Sequence, residues 1–119
     1  MRTCFVLALI FLFGMQLHAE MNVKEFLAIL SADDSTMTLT VKGYIEGLGE
    51  GMQASAIATD KAPLFCAPKP NLGVDVYTGI LQRMIKDYAD NVSVEELGNT
   101  QVSTLLLVGL KRAYPCKQQ

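Results

Sequence analysis

Two cysteines, Cys66 in PLFCAPKP and Cys116 in RAYPCKQQ, stand fifty residues apart at the edges of apolar helical patterns. Joined to one another, they would restrict the fold more than any other feature of the chain. Whether they join depends on the compartment, and the N-terminus speaks to that. The opening MRTCFVLALIFLFGMQLHAE has a short basic start at Arg2, an unbroken apolar run from Cys4 to Phe13, then Gly14, a polar stretch and LHA. Leu17 and Ala19 suit the −3 and −1 positions of a cut before Glu20. Residues 1–19 therefore read as a cleaved secretory signal peptide. The apolar run is too short for a membrane span, which needs about 20 residues. No cysteine stands at the cut for lipid attachment.

The remaining chain, Glu20 to Gln119, is one small domain. Losing Arg2 from ten Lys and Arg leaves nine against twelve Asp and Glu, a net charge of about −3. That balance disfavours nucleic acid or anionic lipid as the main partner. The one histidine, His18, also departs, and Cys66 and Cys116 are the two cysteines left of three. A domain this small buries a modest core, so a crosslink matters. Two cysteines in an exported chain are most simply a disulfide, worth about 4 kcal/mol for a loop of this length on the chain-entropy model. A reactive thiol would want an imidazole or another basic neighbour, and no imidazole survives export.

The periodicity is helical. NVKEFLAILS carries Asn22 as an N-cap with Glu25 in capping-box spacing, and Val23, Phe26, Leu27 and Leu30 recur at helical intervals. ADDS reads as an acidic loop. A second helix is expected from about Thr38 to Thr59, with Val41, Tyr44, Ile45, Leu48 and Met52 as its apolar stripe. Interior glycines each cost about 1 kcal/mol relative to alanine. Gly43, Gly47, Gly51 and Ser55 nevertheless recur every four residues on one side, a groove where another backbone can approach. It suits either a tight crossing within the chain or a face for a second subunit. TMTLTV alternates briefly, as a short strand would, but has no obvious partner.

DKAPLFCAPKPNLG, with three prolines and a glycine, is a connector, its Leu64 and Phe65 tucked against the core beside Cys66. A third helix is predicted from about Val74 to Tyr88, with Val76, Ile80, Met84, Ile85 and Tyr88 inward. A last helix starts after the Ser93 N-cap, with Glu96 three residues on, and runs to about Ala113. Leu97, Val102, Leu105, Leu106, Gly109 and Leu110 form its inner face. Lys111 and Arg112 fall in its last turn, where positive charge is favoured, and Pro115 ends it. Joined by a short loop, these two helices lie antiparallel, which brings both cysteines to one end. The expected fold is all-α, a small four-helix bundle closed by one disulfide.

Catalytic parts are scarce. Without histidine there is no Ser–His or Cys–His pair and no common zinc set. Asp33 with Asp34, and Glu95 with Glu96, are adjacent and do not face each other across a substrate. ADDS lacks the alternating oxygen ligands and terminal glutamate of a calcium loop. GYIEGLGEG lacks the Gly-Lys-Ser/Thr of a phosphate loop. Ser31, Ser35, Ser55, Ser93 and Ser103 all have capping, turn or helix-surface explanations, and none is marked as half of a Ser–Lys dyad. The expectation is a binding protein without cofactor or metal, not an enzyme.

YIEGLGEGM on the second helix, LFCAPKPNLG before the third, VYTGILQRMIKDYADN within it and AYPC at the end together resemble the Tai/Rap family. These are immunity proteins against peptidoglycan amidases delivered by type VI secretion. The resemblance runs from about Tyr44 to Cys116, and its most specific part is the pair FC and YPC flanking a two-helix hairpin. After the tyrosine of the third helix, members often carry a leucine and a His-Pro pair, where this chain has YADNVSV. The resemblance implies a periplasmic protein that occludes the groove of a papain-like cysteine hydrolase, often as a homodimer. On that basis the expected toxin-facing surface is the loop between the last two helices and its exposed flank: Arg83, Lys86, Asp87, Asp90, Asn91, Glu95 and Glu96. The competing expectation is a small periplasmic acid-stress chaperone, which would expose apolar surface and loosen at low pH.

Overall fold

In the computed structural model, which describes residues 20–117, five helices follow one another: α1 (Val23–Ser31), α2 (Ser35–Thr59), α3 (Val74–Ala89), α4 (Val94–Asn99) and α5 (Val102–Ala113). No strand occurs among the described residues. The expected signal peptide lies outside them.

Helix α1 starts where its capping box places it. The Glu25 N–H donates to Asn22 Oδ1 at 2.9 Å, and the Asn22 N–H donates to Glu25 Oε2 at 3.0 Å. Val23 and Phe26, one turn apart, are fully buried. Helix α2 begins three residues before the expected start, because Asp34 of the acidic loop accepts from the Thr36 and Met37 N–H groups at 2.9 and 3.1 Å. Two orphan donors of the first turn are thus satisfied, and TMTLTV is helix rather than strand. At 25 residues α2 is about 37 Å long. It buries Val41, Ile45 and Gly49, one per turn, and Asp60 closes it in the left-handed region at φ 51°.

The connector contributes two side chains to the core, Phe65 and Leu72. Leu64 remains exposed. Gly73 has a φ of 87°, a conformation that favours glycine, and its N–H donates to Asn71 Oδ1 at 2.7 Å. On α3 the buried face is Tyr77, Ile80, Leu81, Met84 and Ile85. It is rotated from the expected stripe, so Val76 stays 37% exposed while Tyr77 and Leu81 are fully buried. The cause is a partner elsewhere in the chain. The Tyr77 ring lies over Gly49 of α2, where a Cβ would overlap it.

The expected last helix is two helices. Thr100 and Gln101 are extended, at ψ 137° and 132°, because the chain before α1 runs antiparallel to them. The Val23 N–H donates to Thr100 O at 3.0 Å and the Val102 N–H to Met21 O at 3.0 Å, around a bridge between Asn22 and Gln101. These bonds satisfy backbone groups that a continuous helix would have paired internally.

Past the break, α5 returns against α3 in the most extensive helix pairing of the fold. Gly109 lets it approach closely, since a Cβ there would stand 2.5 Å from Ile80 Cγ2 and 2.7 Å from Met84 Cγ. The Cys66–Cys116 disulfide closes this hairpin with the Cα atoms 4.9 Å apart. Beside it the Cys66 N–H donates to Tyr114 O at 2.8 Å.

Candidate functional site

The end of the hairpin away from the disulfide is polar and built from helix ends. Arg83, Lys86, Asp87, Asp90, Asn91, Glu95 and Glu96 are all exposed. The first four belong to the last two turns of α3 and its C-cap, and the two glutamates to the first turn of α4. Some hold the loop itself. Asn91 Nδ2 donates to Asp87 O at 2.8 Å and its N–H to Tyr88 O at 3.0 Å. Ser93 Oγ accepts from the Glu96 N–H at 3.1 Å. Asn91 therefore terminates α3, while the carboxylates of Asp90, Glu95 and Glu96 stand in solvent around a turn fixed by backbone bonds. Their separation from the disulfide is about the 24 Å length of α3, a helix of 16 residues.

Beside this turn lies a groove of about 670 Å³ between α1 and α4, floored by Val23, Leu27, Val94, Leu97 and Gly98 with Lys24 and Glu95 on its rim. Val94 is 89% exposed, the most open large apolar residue of the fold. Sequence reasoning missed the groove. The one signal was Val94 at the first position of a helix, three residues before Leu97, which lines the same groove.

The outward side of α2 is a second surface. Gly43, Gly47, Gly51 and Ser55 are all exposed, and a Cβ added at any of the three glycines would meet nothing within 4 Å among the described residues. Of the two roles considered for this stripe, a tight crossing within the chain is not what the fold does with it. The close crossings use Gly49 and Gly109 instead.

The Tyr77 phenol is held above the ordinary value of 10.0. Burial is the main cause. A hydrogen bond with the Leu72 backbone opposes it, and Glu50, Glu46 and Tyr114 raise it further. The hydroxyl donates to Gln53 Oε1 at 3.4 Å, so the group is a neutral core tyrosine with a polar tip, tying α3 to α2.

No family model, curated protein or solved structure matches the chain.

Proposed function

We propose that the chain is a periplasmic immunity protein that binds and occludes a type VI secreted peptidoglycan amidase, protecting the producing cell and its siblings. The observation that carries the reading is the disulfide-closed α3–α5 hairpin. The FC and YPC elements meet there in one bond, at the opposite end from an exposed, charged turn. A disulfide fits an exported domain. A rigid scaffold offering a polar loop fits occlusion of a groove, because order already present in the free protein lowers the cost of binding. On this reading residues 1–19 direct export and are removed, and the protein performs no chemistry itself.

The test is a pull-down of the mature, oxidised protein against type VI amidases, with cell-wall hydrolysis followed in parallel. Tight binding with loss of hydrolysis is expected. Reversing the charges of Asp90 and Glu95 should weaken that binding at least tenfold while leaving the melting temperature unchanged. Unchanged affinity removes this end as the contact surface, and failure to bind or inhibit any amidase removes the function.

The chaperone reading is favoured by one observation, the apolar side chains left open at Val94, Ile57 and Leu39. It requires suppression of the aggregation of unrelated proteins in acid, which the immunity reading does not.

A further inference from the structure

The groove between α1 and α4 differs in charge from the rest of the molecule. The segments that build it are α1 with its flanks, Glu20–Asp34, and α4 with its flanks, Asp87–Gln101. They hold eight of the mature chain's twelve Asp and Glu and one, Lys24, of its nine Lys and Arg. All eight carboxylates are exposed. One cation against eight acids is a formal charge of −7, whereas the remainder of the mature chain has eight cations against four acids. Arg83 and Lys86, on the adjoining turns of α3, reduce the excess only to −5.

The groove is apolar where it is most open. The Val23 N–H donates to Thr100 O at 3.0 Å, and Lys24 Cβ lies beside Gly98, so α1 and α4 run antiparallel. Leu27, further along α1, and Val94, at the start of α4, therefore lie toward one end, the end beside the turn. They are 41% and 89% exposed. At about 670 Å³ the hollow has room for a bulky apolar side chain.

We propose that this groove seats an apolar side chain from a cationic segment of a partner protein, whose Lys and Arg face Asp90, Glu95 and Glu96. An apolar centre inside a polar rim is the usual anatomy of a protein interface. Charge then selects among occupants. Nucleic acid and anionic lipid are repelled. A second copy paired about a two-fold axis would present this acidic face to itself. Among the described residues no three carboxylates converge where one metal ion could sit. The matching positive charge is therefore spread out, as on a protein surface. The inference rests on the immunity reading for the identity of that protein, the amidase.

The test is calorimetric titration of the mature, oxidised protein with the type VI amidase that it inhibits. Leu27→Ser with Val94→Ser removes the apolar seat without changing charge, and should raise the dissociation constant about tenfold or more. Val94→Ser alone should still raise it about threefold, and keeps the test decisive should the pair fold poorly. Ile57→Ser is the control, an apolar side chain just as open but beside the disulfide, and should bind like wild type. Raising salt from about 50 to about 300 mM should weaken wild-type binding about tenfold through screening. Wild-type affinity in the groove variants overturns the inference and leaves the immunity reading standing. So does an affinity that salt leaves unchanged, or an equal loss from Ile57→Ser. If no amidase binds the wild type, the immunity reading falls and this inference falls with it.

Discussion

At Gly109 an added Cβ would stand 2.5 Å from Ile80 Cγ2, and at Gly49 it would overlap the Tyr77 ring, whereas at Gly43, Gly47 and Gly51 it would meet nothing within 4 Å. The same residue type thus serves two regions of one small domain in opposite ways. On the inner side, glycine removes a methyl so that α3 can contact α2 and α5 directly. On the outer side of α2, only two residues from Gly49, it removes a methyl where no described residue lies within 4 Å. Spacing does not separate the two cases, because Gly47, Gly49 and Gly51 lie on one helix within a single turn or so. What separates them is the direction each faces, and that is set by Val41 and Ile45, which turn the Gly49 side of α2 to the core.

The largest blow to the inner side is loss of its clasp. Replacing both cysteines, Cys66→Ala with Cys116→Ala, should cost about 4 kcal/mol, within the range seen for native disulfides of small exported domains. It loosens the α3–α5 hairpin and leaves the outer face of α2 chemically untouched, so chemical denaturation should detect it at once. Next comes a direct contrast of the two regions. Gly49→Ala should destabilise by about 1–3 kcal/mol, because a rigid aromatic ring has to move. Gly47→Ala should stabilise by about 0.5–1 kcal/mol through helix propensity alone. Equal effects at the two positions would break the contrast.

The sequence revealed the parts of this fold whose causes are local. The Asn22–Glu25 capping box joins residues three apart, and the inward face of α5 follows one helical period. The disulfide was legible through composition, and the antiparallel pairing was expected from a short connection, although α4 and the extended residues Thr100 and Gln101 stand between α3 and α5. The missed features depend on partners far along the chain. Tyr77 is buried because of Gly49, so no periodicity within α3 could have placed it there. The break before Val102 is held by Met21 and Val23, whose backbone groups carry no side-chain signature. At the candidate site the charged residues were readable as exposed. The groove beside them was not, since α1 and α4 are separated by the whole of α2 and α3. The Asp34 cap was readable and would have placed the start of α2 correctly.

The smallest expected effect probes the same Tyr77 contact without disturbing its packing. Tyr77→Phe keeps the ring on Gly49 and removes only the hydroxyl, whose bond to Gln53 is 3.4 Å long, so near neutral pH the loss should stay under about 1 kcal/mol. Alkaline pH should bring out the difference. Burial holds the Tyr77 phenol protonated in the fold beyond its ordinary 10.0, while the same phenol in the unfolded chain ionises from about that pH. The folded state then binds more protons than the unfolded one, so stability falls as pH rises above the unfolded value. Phenylalanine cannot ionise in either state. The other tyrosines and the lysines contribute equally to both proteins, so urea melts of the pair should run parallel near neutrality and converge or cross above pH 10. Curves that stay parallel into the alkaline range would mean that the phenol is free to ionise in place, and that the contact closing the inner side is looser than the overlap at Gly49 requires.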